Sequence, residues 1–322
     1  MSYWGVNFFG FIKVFFINLI TGDLWRNIAD DEIQVLVLIF TGLSCVIVGS
    51  FLILRRMTMF ANAISHTILI GIVISYIIFH SAFANEVQSV MNVNISMLLF
   101  ASFISSLLTL VLTDVLNRVL QLQKEASIGL VFTFLFAIGV VLVTLFTRNA
   151  HVGTEVIMGN IDMVHKDDLK ISFYIFIGNL LLMFIFFKEY LITSFDISLA
   201  KLSKISNWAF TYLLLLQTSA TVICALRSVG VVLVLSLLVS APLTAKLFVN
   251  RLKSILILSS IIAVLNGIFT VALSRHLLSV YGAPVSTSGL VVTCNLALWV
   301  VGVICSPKYT PFRRVFTLSY NR

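Results

Sequence analysis

One short stretch of the sequence places two side chains with ligand chemistry four residues apart. Asn62 and His66 would share one face of a helix, with Ser65 beside them. Neutral imidazole is the commonest side-chain ligand for transition metals, and an ionisable residue in an apolar span is a functional candidate. The same histidine could instead join two helices through a hydrogen bond. We interpret Asn62 and His66 as candidate metal ligands and Ser65 as a neighbour lining the same path.

A second stretch, residues 193–206, is more polar and predicts a short amphipathic helix. Phe195 and Leu199 stand four residues apart and form an apolar knob, while Asp196 suits the start of a helix. Lys201 and a second lysine three residues later provide a charged rim. Such a knob fits a groove on a partner protein, or else a lipid surface with snorkelling lysines.

Single polar residues also occur inside other apolar runs. Interhelical hydrogen bonding explains them without a function, although Gln217 or Asn266 could line a transport path. A further polar segment, residues 148–168, collects histidines and carboxylates without close ligand spacing, and we interpret it as a solvated loop. The polar residues inside apolar runs are Asn179, Gln217, Asn266 and Asn295.

Motifs for ATP hydrolysis and for common enzyme chemistry do not occur in the sequence. It has no G-x-x-x-x-G-K-[ST] P-loop, no nucleophile elbow, no His-Glu-x-x-His and no dinucleotide fingerprint. We therefore predict that the chain is not an enzyme and that any ATP motor is another chain.

The composition explains where these side chains must lie. Of the 322 residues, 60% are hydrophobic and only 11% are charged, with a mean hydropathy of +1.09. A soluble domain carries roughly 25% charged residues, so most of this surface must face lipid. The net charge of +8 is spread between apolar runs without a basic stripe, which argues against nucleic-acid binding.

Nine segments are long and apolar enough to cross a bilayer as helices, which takes about 20 residues each. We predict an all-α, polytopic transmembrane bundle of about nine spans over residues 33–305. Residues 1–32 are an N-terminal interfacial segment, because the apolar run at 4–20 is short and interrupted. Residues 306–322 are a basic tail. The predicted spans are 33–54, 59–80, 95–117, 127–147, 170–193, 207–226, 228–249, 254–274 and 286–305.

The distribution of lysine and arginine predicts the orientation of these spans. With the Arg55–Arg56 pair in the cytoplasm, 14 of the 21 basic residues fall on the cytoplasmic side. By the positive-inside rule, the cytoplasmic parts are then residues 55–58, 118–126, 194–206, 250–253 and the C-terminal tail.

The motifs, taken in order, resemble the ABC-3 family, the permease subunits of bacterial ABC importers for zinc, manganese or iron. Residues 55–71 resemble the family's Arg-Arg/Lys and Gly-Asp-Ala-Leu-Ser-His-Ala signature. Residues 195–201 resemble its cytoplasmic Phe-Asp-Pro-Glu-x-Ala segment. Further matches follow in the family's order at 124–129, 158–161, 230–234, 244–247 and 284–289, so that the resemblance covers about residues 33–305.

The resemblance implies a fold, a location and a set of partners. The fold is that of a type II ABC importer permease in the bacterial cytoplasmic (inner) membrane, paired with a copy of itself or with a paralogous permease. The implied partners are a cytoplasmic ATP-binding subunit, a metal-binding extracytoplasmic solute-binding protein and membrane lipid, with no nucleic acid. A divalent transition-metal ion is the cargo, and no permanently bound cofactor is expected.

The resemblance also implies roles for individual residues. His66 matches the family histidine that faces the translocation path, whereas Asn62 stands where the family has an aspartate. An amide offers only a neutral oxygen, so this path holds the ion more weakly or a paralogous partner supplies the acid. The helix that docks on the ATP-binding subunit corresponds to Phe195, Asp196, Leu199, Ala200 and Lys201.

Other classes of membrane protein remain alternatives. A permease for a metal chelate such as haem or a siderophore would need a wider, aromatic-lined path, and a membrane scaffold would need no path. A gradient-driven secondary transporter would show inverted repeats and buried acidic residues, and no span here has an acidic residue at its centre. The sequence leaves the metal open among zinc, manganese and iron, because these ions share ligands.

Overall fold

The described part of the chain is helical. The structure, a computed structural model, describes residues 7–21, 28–82, 95–147 and 159–306, and every regular element within them is a helix. A short 3-10 turn lies at Ile161–Met163. The α-helices are α1 (Phe8–Thr21), α2 (Asp30–Leu54), α3 (Thr58–Ala82), α4 (Ile95–Leu120), α5 (Lys124–Thr147), α6 (Lys166–Ile185), α7 (Phe187–Phe195), α8 (Ile197–Leu202), α9 (Asn207–Val229), α10 (Val231–Phe248), α11 (Leu252–Tyr281) and α12 (Thr287–Cys305).

Seven of these helices, among the residues described, are long and apolar enough to cross a membrane: α2, α5, α6, α9, α10, α11 and α12. Helices α3 and α4 have 25 and 26 residues, more than the about 20 that a span requires. Each predicted span coincides with one of these nine helices, with α6 continuing into α7. The predicted all-α, multi-pass membrane architecture is confirmed.

The structure shifts several of the predicted span boundaries by a few residues, and the last span but one extends to Tyr281. The span expected at 170–193 begins at Lys166 and is interrupted at Phe186, after which α7 continues the chain. Arg227, expected to connect two spans, lies in the last turn of α9. That helix ends at Gly230, whose φ of +89° is open to glycine because it has no Cβ.

The helices group into two compact units. In the first unit, α2 lies against α10 and α11, and Val46, Ala241 and Ala263 form a buried apolar cluster. Gly49 approaches the backbone oxygen of Leu238 so closely that a Cβ would not fit. This small-residue contact brings α2 and α10 together as in other membrane bundles. The unit comprises the described residues of Met1–Ile53, Asn160–Ile177 and Val232–Arg322.

In the second unit, α3 packs against α4, α5 and α9. Ile70, Val131 and Leu135 form its buried apolar cluster. Thr109 of α4 donates a 3.2 Å hydrogen bond to the hydroxyl of Thr67 on α3. This unit therefore positions both stretches that the sequence singled out. It comprises the described residues of Leu54–Gly159 and Gly178–Val231.

Helix α1 belongs to the predicted interfacial segment. Its 14 residues extend about 21 Å, less than the about 30 Å hydrocarbon core of a bilayer. Phe11 and Phe15 are buried, and Phe8 meets Phe269 of α11 edge-on with ring centroids 5.4 Å apart. Helix α1 thus packs on the bundle through one aromatic face, and its placement at the membrane interface stays a prediction.

Candidate functional site

The α3 strip, made of Asn62, Ser65 and His66, lies in the first three turns of α3. Ser65 is buried and donates a 2.7 Å hydrogen bond to the backbone oxygen of Asn62. Asn62 and His66 are only partly buried. Phe60 and Ile64, on the same turns, are fully buried and anchor the helix in the second unit. The apolar side of α3 therefore holds the helix in place while Asn62 and His66 remain partly accessible.

The His66 ring lies against aromatic side chains of α5, with its centroid 5.5 Å from that of Phe132 and 5.7 Å from that of Phe136. Among the described residues, neither the imidazole of His66 nor the side-chain amide of Asn62 has a hydrogen-bond partner. Within that part of the chain, His66 does not join two helices through a hydrogen bond. An imidazole nitrogen and an amide oxygen on one helix face can together donate to a metal ion.

The other predicted path residues are buried and engaged. The Oε1 atom of Gln217 accepts a 2.7 Å hydrogen bond from the hydroxyl of Tyr190. The Nδ2 atom of Asn266 donates to Oδ1 of Asn295 at 2.8 Å, and Asn295 donates to the hydroxyl of Ser236 at 3.1 Å. These bonds are the interhelical contacts that the sequence offered as the alternative for Gln217 and Asn266. Their place in a transport path stays a prediction.

The coupling segment, residues 195–204, contains the predicted short helix as α8. Asp196 caps it, since its Oδ1 accepts hydrogen bonds from the backbone N–H groups of Ser198 at 2.8 Å and Leu199 at 3.1 Å. Phe195 is 60% exposed and Leu199 46% exposed, whereas Ala200 is fully buried. Lys201 is exposed in the last turn. The helix thus presents the apolar side chains that a partner surface would cover.

A cluster that sequence reasoning missed surrounds Arg55, between α2 and α3. Its guanidinium donates to the hydroxyls of Ser194 at 3.1 Å, of Thr211 at 2.8 Å and of Thr193. Burial lowers the pKa of the Arg55 side chain to about 10, so the group stays charged at neutral pH. The sequence marked Arg55 only by its place in an arginine pair. Its partners lie 138 to 156 residues further along the chain, and no local sequence pattern links them to Arg55.

A second missed cluster surrounds Asp162, in the segment interpreted as a solvated loop. Its Oδ1 accepts hydrogen bonds from Gln34 at 2.7 Å and from the hydroxyl of Thr287 at 2.5 Å. Gln34 and Thr287 are buried, so Asp162 joins α2 to the start of α12 within the first unit. His151 and Glu155, from the same polar segment, lie outside the described residues. In the part that is described, no three His, Cys, Asp or Glu side chains are grouped to hold a metal ion.

Comparison with known proteins identifies the family. The model of the ABC 3 transport family matches residues 33–306, which is most of the chain. The chain belongs to the ABC 3 transport family. The predicted family membership, and the residue range of the resemblance, are therefore confirmed.

Relatives of the permease are named for metal transport. A probable metal transport system membrane protein of Chlamydia muridarum is 36% identical over 305 residues and 94% of each chain. The manganese transport system membrane protein MntD of Bacillus subtilis is 33% identical over 78% of this chain and 86% of its own length. The zinc transport system membrane protein TroD of Treponema pallidum is 30% identical over 88% of this chain and 76% of its own length.

A solved structure supports the fold of the permease. The structure described as PsaBC from Streptococcus pneumoniae in complex with Fab matches with a TM-score of 0.73 and 24% identity, over 94% of this chain and 99% of that chain. Two motifs that carried the resemblance also meet in the second unit of the permease. Gly159 packs against the turn at Leu226–Gly230 with no room for a Cβ beside the backbone oxygen of Leu226. The motifs at 158–161 and 230–234, about 70 residues apart in the sequence, thus meet in the folded chain.

Proposed function

We propose that this permease carries a divalent transition-metal ion, manganese or zinc, through the bacterial cytoplasmic membrane as a subunit of an ATP-driven importer. The names of its relatives support manganese and zinc more directly than iron. ATP hydrolysis belongs to a separate ATP-binding subunit, because this chain has no P-loop. A metal-binding extracytoplasmic protein delivers the ion from the outer side.

The observation that carries this proposal is the state of Asn62 and His66 on α3. Both side chains are partly buried, and in the described part of the chain neither has a hydrogen-bond partner. Because both side chains are partly accessible, their nitrogen and oxygen atoms are available to a passing ion. Imidazole nitrogen and amide oxygen are both ligands for manganese and zinc.

The same strip implies that a second subunit completes the path. Asn62 and His66 provide two donor atoms, and a bound transition metal takes about four to six. A second permease, either a copy or a paralogue, brings its own α3 to the ion. Because Asn62 carries no charge, a paralogous partner with a carboxylate at this position would hold a divalent cation more firmly than a copy would.

The coupling segment is the surface on which the ATP-binding subunit acts. Phe195, at the end of α7, and Leu199, on the short capped helix α8, are exposed apolar side chains, and Lys201 borders them. Exposed apolar side chains of this kind favour docking into a hydrophobic groove. Movement of the docked segment on ATP binding would switch the path between its outward-facing and inward-facing states.

Reconstitution of the complete importer tests this proposal. The permease, its ATP-binding subunit and any paralogous permease are purified together and placed in vesicles, and uptake of radiolabelled manganese and zinc is measured. We expect uptake that requires ATP and disappears with a hydrolysis-deficient ATP-binding subunit. Uptake driven by an ion gradient without ATP would contradict the proposal. Uptake of a haem or siderophore complex in place of the free ion would instead support the chelate permease.

A further inference from the structure

The Arg55 cluster, made of Arg55, Thr193, Ser194 and Thr211, links three parts of the second unit. Arg55 lies directly before α3, Thr193 and Ser194 lie in the last turn of α7, and Thr211 lies in the second turn of α9. Each of the three guanidinium nitrogens donates to a different hydroxyl group. A single side chain therefore holds together chain segments that are far apart in sequence.

The three hydroxyl groups stand on either side of the coupling segment. Thr193 and Ser194 come immediately before Phe195, and Thr211 comes one turn into the helix that follows the segment. A displacement of the coupling segment therefore moves the partners of Arg55 at both of its ends. Because the guanidinium is planar and its donors are fixed in direction, such a displacement is transmitted to Arg55.

Arg55 is followed after two residues by α3, which carries Asn62 and His66. These side chains lie 4 and 8 residues beyond Thr58, the first residue of the helix, or about 6 and 12 Å along its axis. A helix moves as a rigid element over this distance. Any force on Arg55 thus reaches the candidate metal ligands through less than three helical turns.

The chemistry of the cluster suits a contact that must form and release repeatedly. Within the described residues, the hydrogen-bond partners of the guanidinium are hydroxyls and include no carboxylate. Hydrogen bonds from a charged donor to a neutral acceptor are directional. Breaking them does not require the separation of two opposite charges.

A partly open pocket of about 130 Å³ lies beside the cluster. Met57, Phe60 and Thr211 line it together with residues of α4, α5 and α9. This space next to the start of α3 leaves room for that end of the helix to shift.

We propose that Arg55 is a positioning residue that couples movement of segment 195–204 to α3, and thereby to Asn62 and His66. The inference rests on the proposed function as an ATP-driven importer. It assigns Arg55 a mechanical role, not contact with the ion. Loss of the cluster should leave ATP hydrolysis in place while less metal is moved for each ATP consumed.

Variants of Arg55 in the reconstituted importer test this inference. In Arg55→Gln the ratio of manganese or zinc transported to ATP hydrolysed should fall about tenfold, in the range of coupling effects between sites. Arg55→Lys keeps the charge but loses the planar fork, and the ratio should fall to an intermediate value. Arg56→Gln is the matched control, because Arg56 is the exposed neighbour and carries the same charge. Its ratio should equal that of the wild type.

A second set of variants covers the case in which Arg55→Gln does not assemble. Thr193→Val and Thr211→Val remove two acceptors with little change of shape, and together they should lower the same ratio. An unchanged ratio in both sets, or a parallel fall of hydrolysis and uptake, would overturn the role of Arg55. Absence of ATP-dependent uptake by the wild-type importer would contradict the proposed function instead.

Discussion

The α3 strip and the Asn266–Asn295 pair both place polar side chains inside membrane-spanning helices, but they differ in what those side chains contact. Asn266 and Asn295 are buried, and a 2.8 Å hydrogen bond joins them across α11 and α12. Asn62 and His66 are partly exposed, and among the described residues their side chains have no hydrogen-bond partner. The first arrangement connects helices, whereas the second leaves ligand atoms available.

The comparison shows that a polar residue in a span is a weak indicator of function until its partners are known. The Oδ1 atom of Asn266 is itself unpaired within the described residues, so even the connected pair is incompletely satisfied. What separates the two regions is that no side-chain nitrogen or oxygen of Asn62 or His66 is engaged by another residue that the structure describes. Substitutions of His66, Asn266 and Asn62 test this contrast.

Removing the imidazole should have the largest effect. In His66→Ala we expect ATP-dependent metal uptake to fall by about 100-fold or more, because even outer partners of metal ligands are worth 10–100-fold. Assembly should stay unchanged because no hydrogen bond of the described fold is lost, and thermal stability should fall only slightly with the ring contacts to Phe132 and Phe136. His276→Ala in α11, whose ring lies against Tyr281, is the matched control and should transport normally. Normal uptake by His66→Ala would refute the ligand role.

Breaking the asparagine pair should affect stability and not transport. Asn266→Leu leaves the Asn295 carbonyl without its donor and should lower the free energy of unfolding by about 1–2 kcal/mol. Thermal unfolding of the detergent-solubilised permease measures this change. The double variant Asn266→Leu with Asn295→Leu should recover part of the loss, because replacing both partners leaves fewer orphaned groups. Lost uptake with normal stability would instead place Asn266 in the path.

Adding the charge that the family has on α3 should have the smallest effect of the three. Asn62→Asp should tighten manganese or zinc binding by about tenfold, equivalent to 1.4 kcal/mol, because a carboxylate adds charge to the ligand set. Asn62→Leu, which removes the ligand oxygen, should weaken the binding of manganese or zinc. Titration of the purified importer with metal measures both. Equal affinities in all three proteins would show that Asn62 does not contact the ion.

Much of the fold could be predicted from the sequence, because lipid leaves few choices. Backbone polar groups in a bilayer must be satisfied within the segment, so apolar runs of 20 residues become helices. Segment ends were less predictable. The interruption at Phe186 has no local signature, whereas Gly230 is a local stop signal because it has no Cβ, and α9 runs to it three residues past the predicted end at 226.

The candidate site was predictable in part. Ligand-capable residues at i and i+4 marked α3, and the alternation of apolar and charged residues marked the coupling segment, including the Asp196 cap. The Arg55 and Asp162 clusters were not predictable, since each joins residues more than 100 positions apart. Contacts of that kind leave no periodic trace in a single chain.

The amino-acid sequence was enough to identify a helical membrane permease and to name residues that could bind a metal. Composition and hydrophobic run length act locally, and the bilayer converts them directly into helices. Which polar groups satisfy one another, and which remain available, depends on how the helices pack. Helix packing brings Asn266 to Asn295 and Arg55 to three hydroxyls, whereas His66 of α3 lies against aromatic rings of α5. Hydrogen bonds require proximity within about 3 Å, and proximity is a property of the packed chain.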